Sequence, residues 1–438
     1  MENRRVVITG RGICLPDASN VDAMMDNLYN GRSSIENVSG RFLWLEGYRS
    51  QLGLLFNDFK FDYEKFGLSV KEARRYGPSA IYAVEAAHQA ITESRFLDFN
   101  PDETRERTGV IVGHGLCGII EIEEQKKRQL EKGISRVSPD TCFKSLPDSS
   151  AGYISIIWGL HGECYSVSTA CASSATAIRK SANAIRDNEA DVMVCGGTVE
   201  SSSPLIYASF GQLSAMSKKN NDSCHASRPF DRDRDGFILG EGAGIVVLEE
   251  LEHAKSRRAN ILGELIGWGF SSDAYKVTAP RPDALYIAKT MRDALKMARL
   301  NPEQVGYINA HGTSTPNNDG IETLGIKQAF GECAYKIPVS STKSMIGHTL
   351  SAAGGIEFIV ALETVRRNNI HPTLNCEHPD TDAGYHSDWS EEDRESFQPC
   401  DLDYVRKGAR DTKAKVAMSN SFGFLGHNES LIVGKYSG

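Results

Sequence analysis

SVSTACASSATAI, Ser166–Ile178, and VSSTKSMIGHTLSAA, Val339–Ala353, read as one device used twice. Each has a strand end, a turn of small residues, and a helix whose small side chains allow close packing. The two stretches agree weakly residue by residue. Each nevertheless stands at a similar stage of its half of the chain, where an internal duplication would place it. Working outward, short β-branched runs predict buried strands at Arg5–Gly10 (RVVITG), Thr108–Val112 (TGVIV), Asp191–Cys195 (DVMVC), Gly244–Leu248 (GIVVL), Val305–Asn309 (VGYIN) and Ile337–Ser340 (IPVS). Apolar residues at three- and four-residue spacing predict helices over 71–94 and 284–299. This alternation predicts an α/β fold with largely parallel central strands and two stacked halves, 1–258 and 259–438.

Composition narrows the function classes. The 438 residues carry 49 Lys+Arg against 57 Asp+Glu, a formal charge of −8, and are 40% hydrophobic, which excludes disorder, collagen and coiled coil. An acidic balance argues against nucleic-acid partners, because phosphate-tracking proteins present a basic surface. MENRRVVITG has no signal-peptide apolar core, and no apolar run approaches the roughly 18 residues needed to span a bilayer. A cytoplasmic protein without membrane insertion is expected. Ten cysteines lie scattered with no CxxC pair and no Cys/His spacing suited to zinc, so neither a disulfide framework nor a metal site is expected.

Any functional cysteine must therefore stand out by its setting, and Cys171 does. It sits between a strand end and a small-residue helix, where the helix dipole and free N–H groups favour a thiolate and can hold an oxyanion. His311 follows a strand in INAHGTSTPNND, whose Gly, Ser and Thr let a ligand approach closely, and His348 occupies the matching turn of STKSMIGHTLSAAGG. One elbow cysteine and two turn histidines form a constellation for thiol acyl chemistry.

TACASS around Cys171, Asp191–Gly197, RPFDRDRDGFILGEGAG at 228–244, DAYKVTAP at 273–280, AHGTSTPNND at 310–319, STKSMIGH at 341–348 and SNSFGFLGHN at 419–428 together resemble the β-ketoacyl-[acyl carrier protein] synthases with a Cys-His-His triad. The resemblance implies a thiolase-like fold of two duplicated halves in a five-layered α-β-α-β-α arrangement, dimeric as a homodimer or with a chain-length-factor-like subunit. It implies decarboxylative Claisen condensation of an acyl chain on Cys171 with malonyl-acyl carrier protein, assisted by His311 and His348. The backbone N–H groups of Cys171 and Phe424 would form the oxyanion hole. Lys343 would organise the site with Glu357, alongside Asp319 and Glu322. Thr278, Thr313 and Thr315 would line the path of a phosphopantetheine arm delivered by acyl carrier protein, with no permanently bound cofactor. Some members hold a structural monovalent cation at positions matching Asn309, Glu357 and Ser419.

This chain departs from the family pattern at several places. Leu425 stands in Gly423-Phe424-Leu425-Gly426, where GFGG is usual, and so bears on the motion of the gating loop. Ser351 stands where glycine is common. His114 replaces a usual serine, where it would either tune chain length or satisfy a backbone group. These departures point to a specialised polyketide, polyene or fatty acid synthase. Two alternatives are a non-catalytic subunit that shapes chain length, against which Cys171 argues, and a non-elongating acyltransferase. A thiolase using coenzyme A would need a late cysteine in a GxCxGxG-like setting, which Cys376 and Cys400 lack. Lys126, Lys127, Arg128, Arg74 and Arg75 are candidate carrier-docking cations. The acidic segment 381–399, with six acidic residues and one arginine, reads as a surface insertion, either a decoration or a partner contact.

Overall fold

The computed structural model describes residues 4–386 and 397–438, so the middle of the acidic segment lies outside the described residues. The first half contributes β1 (Val6–Cys14), β2 (Thr108–Gly113), β3 (Cys164–Val167), β4 (Val192–Val199) and β5 (Gly242–Glu250). The second contributes β6 (Gly263–Ser272), β7 (Tyr307–Asn309), β8 (Val339–Ser340), β9 (Val416–Gly423) and β10 (His427–Gly434). They form one hydrogen-bonded array in the order β8-β7-β9-β10-β6-β1-β5-β4-β2-β3. Outward from the centre, each half follows the same path: β1-β5-β4-β2-β3 and β6-β10-β9-β7-β8. Within the array the two halves join where Val7 and Ile8 of β1 pair with Glu264 and Gly263 of β6.

The expectation of largely parallel strands is corrected: each half is mixed. β2 runs parallel to β3 and β4, and β7 parallel to β8 and β9, while β5 and β10 are antiparallel to both of their neighbours. The three-residue connection Phe424–Gly426 between β9 and β10 is too short for a crossover and permits only antiparallel pairing. The expected helix over 71–94 is likewise broken. A short turn at Val70–Ala73 is followed by α1 (Pro78–Ser94), because Gly77 ends extended and Pro78 lacks the N–H that a continuing helix would use.

Helices α2 (Ser173–Arg186) and α5 (Ala353–Arg367) lie against each other between the two half-sheets. α1 covers β1 and β5 from outside, and α3 (Leu285–Ala298), with α4 (Pro316–Phe330) against it, covers β6. That gives five layers. α5 is buried from Ala353 through Val365, as a helix enclosed on all sides must be. Its start needs glycine: a Cβ on Gly354 would come within 2.7 Å of Ser421 Oγ and 3.0 Å of Ala175 Cβ. This close approach brings the N-termini of α2 and α5 together, and with them the turns that follow β3 and β8.

Candidate active site

Cys171 ends the turn after β3, just ahead of α2. His348 ends the corresponding turn after β8, and its Nε2 lies 3.2 Å from Cys171 Sγ. His311 follows β7, with its ring edge-on to His348 at 5.3 Å between centroids. All three line a cavity of about 670 Å³ that also takes in Thr278, Thr313, Thr315 and Phe424. Residues spread over more than 250 positions of sequence therefore share one chamber.

Carboxylates buried at the start of α4 hold the His311 loop. Glu322 accepts the N–H groups of His311 and Gly312 at 2.8 and 2.7 Å, and Asp319 accepts those of Thr313 and Ser314 at 3.0 and 3.1 Å. Burial pushes Glu322 up to about 7. Lys343 is 1% exposed, an ammonium buried in the site. It is ion-paired with Glu357, donates to the His311 carbonyl at 2.6 Å, and lies 3.4 Å from His311 Nδ1. An ammonium facing Nδ1 fixes that nitrogen as an acceptor and leaves Nε2 as the protonated position.

The electrostatics correct one expectation. Burial pushes the Cys171 thiol up to about 11, while Lys343 and the Phe424 N–H pull against that rise. The helix N-terminus alone does not yield a resting thiolate, because desolvation outweighs it. Burial, reinforced by the nearby Lys343 charge, holds His348 and His311 well below the ordinary imidazole range. The resting site is therefore a neutral thiol beside neutral imidazoles. The backbone N–H groups of Phe424 and Cys171, the two expected oxyanion donors, both act to lower the Cys171 thiol.

Asn309 pairs in register with Ser419, and Asn309 Oδ1, Glu357 Oε2 and Ser421 Oγ are buried with no partner among the described residues. Such orphaned oxygens suit a hard monovalent cation, so this donor set fits the group. Asn309 and Glu357 would supply two of its oxygens, and the orphaned hydroxyl is that of Ser421 rather than the expected Ser419.

Two aromatic walls were outside the sequence reading. Phe237 packs edge-on against His348 at 5.4 Å and Phe422 against His311 at 5.9 Å. Both lie inside quoted motifs, but nothing in their spacing marks them as walls for the imidazoles. The alternating Arg and Asp residues at 228–235 form a brace: Arg234 pairs with Asp380 at 2.5 Å and donates to the carbonyls of Thr315 and Pro316 at 3.0 Å each. Asp380 also meets buried His386 at 2.8 Å, so the acidic segment is anchored at its described base. Lys126, Lys127, Arg128, Arg74 and Arg75 do not line the cavity, whereas Lys218 does. Leu425 adopts φ 65° with 60% exposure and donates its N–H to the Val277 carbonyl at 2.8 Å. Ser351 is buried and donates to the Thr198 carbonyl at 2.7 Å.

Comparison with known proteins follows the same division. Residues 3–254 match the family model "Beta-ketoacyl synthase, N-terminal domain" and residues 262–377 match "Beta-ketoacyl synthase, C-terminal domain". The chain is 41% identical to a 3-oxoacyl-[acyl-carrier-protein] synthase 2 of Synechocystis over 100% of its own length and 99% of the relative's. Among solved structures, a β-ketoacyl synthase from Burkholderia phymatum superposes with a TM-score of 0.87 at 33% identity, covering 99% of this chain and 100% of that one. A type II polyketide ketosynthase, solved with its acyl-carrier protein and bound to the hexaketide, gives 0.85 at 29% identity, with both chains covered fully.

Proposed function

We propose, for a chain that belongs to the β-ketoacyl synthase family and is a condensing acyltransferase of the thiolase-like fold, that Cys171 is the acyl acceptor and His311 and His348 the groups that handle the carbanion. The observation that carries the assignment is the 3.2 Å separation of Cys171 Sγ from His348 Nε2 on the floor of the cavity.

An acyl thioester on a phosphopantetheine arm enters along Thr278 and the hydroxyl pair Thr313–Thr315, 2.8 Å apart. The Cys171 thiol attacks the thioester carbonyl and passes its proton to His348 Nε2, which returns it to the departing pantetheine thiol. Proton loss coupled to attack suits a thiol held up to about 11. The tetrahedral oxyanion is held by the N–H groups of Cys171 and Phe424, each such donor being worth about 3 kcal/mol. Malonyl-carrier protein then occupies the cavity and loses CO₂. The developing enolate oxygen takes a hydrogen bond from the protonated Nε2 of His311, a neutral donor that stabilises the charge without quenching the carbanion, with the neutral His348 ring beside it. The carbanion attacks the Cys171 thioester, the C–S bond breaks, 3-oxoacyl-carrier protein leaves, and the Cys171 thiolate takes a proton from solvent.

Identity of 41% to the 3-oxoacyl synthase 2 relative against 29% to the polyketide ketosynthase favours fatty acyl substrates over a specialised polyketide chain. Acyl carrier protein is the substrate carrier in this reading and the cytoplasm its setting, with halves dividing at 258/259. β3 is the edge strand of the array, and Ile156 nearby is 71% exposed, which supports association with a second ketosynthase-fold chain along that edge.

Purified protein mixed with acyl- and malonyl-carrier protein, followed by intact mass, tests the reading. An adduct on the enzyme and a product two carbons longer are expected, both lost in Cys171→Ala. Loading without extension would leave only acyl transfer. Absence of loading from a broad acyl panel would overturn the catalytic reading in favour of a chain-length-shaping subunit.

A further inference from the structure

Beside the catalytic turn, around a cavity that Thr169 also lines, lies a charged pair that the reaction does not use. Arg179 of α2 donates from Nε to both carboxylate oxygens of Glu429 of β10, at 3.1 and 3.0 Å, and from Nη2 to Oε1 at 2.9 Å. Both side chains are less than a tenth exposed, and Phe270 stacks over the guanidinium at 4.1 Å. A buried ion pair of this kind generally gives no more stability than apolar residues of the same volume, so stability alone does not account for it. Its connections do.

Thr176 donates to Glu429 Oε1 at 2.9 Å, and the Thr176 and Thr169 hydroxyls lie 2.8 Å apart. Thr169 is two residues before Cys171 in the same turn. On the other side, Glu429 is five residues past Phe424 on the hairpin that carries the gate. The two ends touch: a Cβ on Gly423 would stand 2.9 Å from the Thr169 carbonyl oxygen and 3.1 Å from the Cys171 nitrogen. Hydrogen bonds therefore run from the Cys171 turn through Thr169 and Thr176 to Glu429 on the strand beginning after Phe424, and Arg179 of α2 grips the same carboxylate from the helix side. The two oxyanion donors come from elements about 250 residues apart in sequence, yet they must be held within about 0.5 Å of productive geometry. A forked, bidentate guanidinium–carboxylate contact is the stiffest polar link available for that purpose.

We propose that Arg179 and Glu429 are positioning residues for the acylation step, their ion pair setting the separation of the Cys171 and Phe424 N–H donors. The proposal rests on the oxyanion-hole reading above and deepens it.

The test uses the full chain and two variants, Arg179→Lys, which keeps the charge but loses the fork, and the double variant Arg179→Leu/Glu429→Leu, which removes the pair without orphaning a charge. Two rates are read: single-turnover transfer of acyl from acyl-carrier protein to Cys171 by intact mass, and iodoacetamide alkylation of Cys171, which passes through no oxyanion. Acyl transfer is expected to fall about 10- to 100-fold in both variants, with KM for the carrier substrate and the alkylation rate each within about twofold of the parent. Acyl transfer within twofold in a folded double variant overturns the proposal. A parallel fall in alkylation also overturns it, by moving the effect to the thiol. Failure of both variants to fold overturns it by assigning the pair to stability. A parent protein that alkylates but never acylates would instead sink the underlying reading and is distinguishable on the same two traces.

Discussion

The two halves of this chain share strand order and strand direction, yet they deliver different chemistry from matching turns. After β3 the first half presents a thiol at the head of α2. After β8 the second half presents an imidazole ahead of α5 and adds a buried Lys343–Glu357 pair. The turns after β2 and β7 differ in the same way. Each carries a histidine, but His311 faces the cavity, whereas His114 is buried outside its lining and pushed down to about 4 by that burial. Duplication supplied the geometry of two facing helix N-termini. The division of labour came from what was placed at each turn and from the charge buried behind only one of them.

Breaking the nucleophilic side should have the largest effect. Cys171→Ala should reduce acyl loading and condensation by at least about 1000-fold, measured by adduct mass and product formation. Breaking the charged side comes next. Lys343→Met leaves Glu357 buried and unpaired and releases the His311 carbonyl, so a loss of about 3–5 kcal/mol in denaturant unfolding is expected together with impaired condensation. An unchanged midpoint would mean that Glu357 simply takes up a proton, which its rise to about 7 makes easy at lower pH. The two histidine turns are then compared directly. His311→Ala should lower condensation by about 100-fold, while His114→Ala should stay within about threefold and leave product chain length unchanged. A shifted chain length for the His114 variant would assign that turn to the acyl pocket.

Titration sharpens the comparison further. Only the thiolate is alkylated, and the thiol is held up to about 11, so Cys171 alkylation should climb about tenfold per pH unit from 7 to 10 without levelling near 9. A plateau below pH 9 would contradict the neutral thiol–imidazole pair. The smallest effect belongs to the gate. Leu425 holds φ 65°, which costs a side-chain-bearing residue about 1 kcal/mol, and Leu425→Gly trades that strain against unfolded-state freedom. A net stability change within about 1 kcal/mol is expected, with a measurable change in the rate of carrier-substrate entry by stopped flow.

Much of the site was legible because its chemistry is local. A cysteine ahead of a small-residue helix, a histidine ahead of Gly-Thr-Ser-Thr, and a lysine five residues before a histidine are each short-range patterns; the cysteine and both histidines line one chamber, and the lysine lies 3.4 Å from His311 Nδ1. Strand direction was misjudged because a buried antiparallel strand such as β5 is as uniformly apolar as a parallel one, and only its hydrogen-bond partners distinguish the two. The resting state of Cys171 was misjudged because a helix terminus is visible in sequence while the depth of its burial is not.

The sequence by itself determined the α/β elements and the duplicated turns and marked out the proposed reacting groups, since these follow from residue type and from spacing over a few positions. Only the tertiary structure decided that Lys343 reaches the His311 carbonyl, that Arg179 finds Glu429 250 residues away, and that desolvation overrides the helix dipole at Cys171. Those outcomes depend on distance and on the exclusion of water, and both are set when the two half-sheets close over α2 and α5.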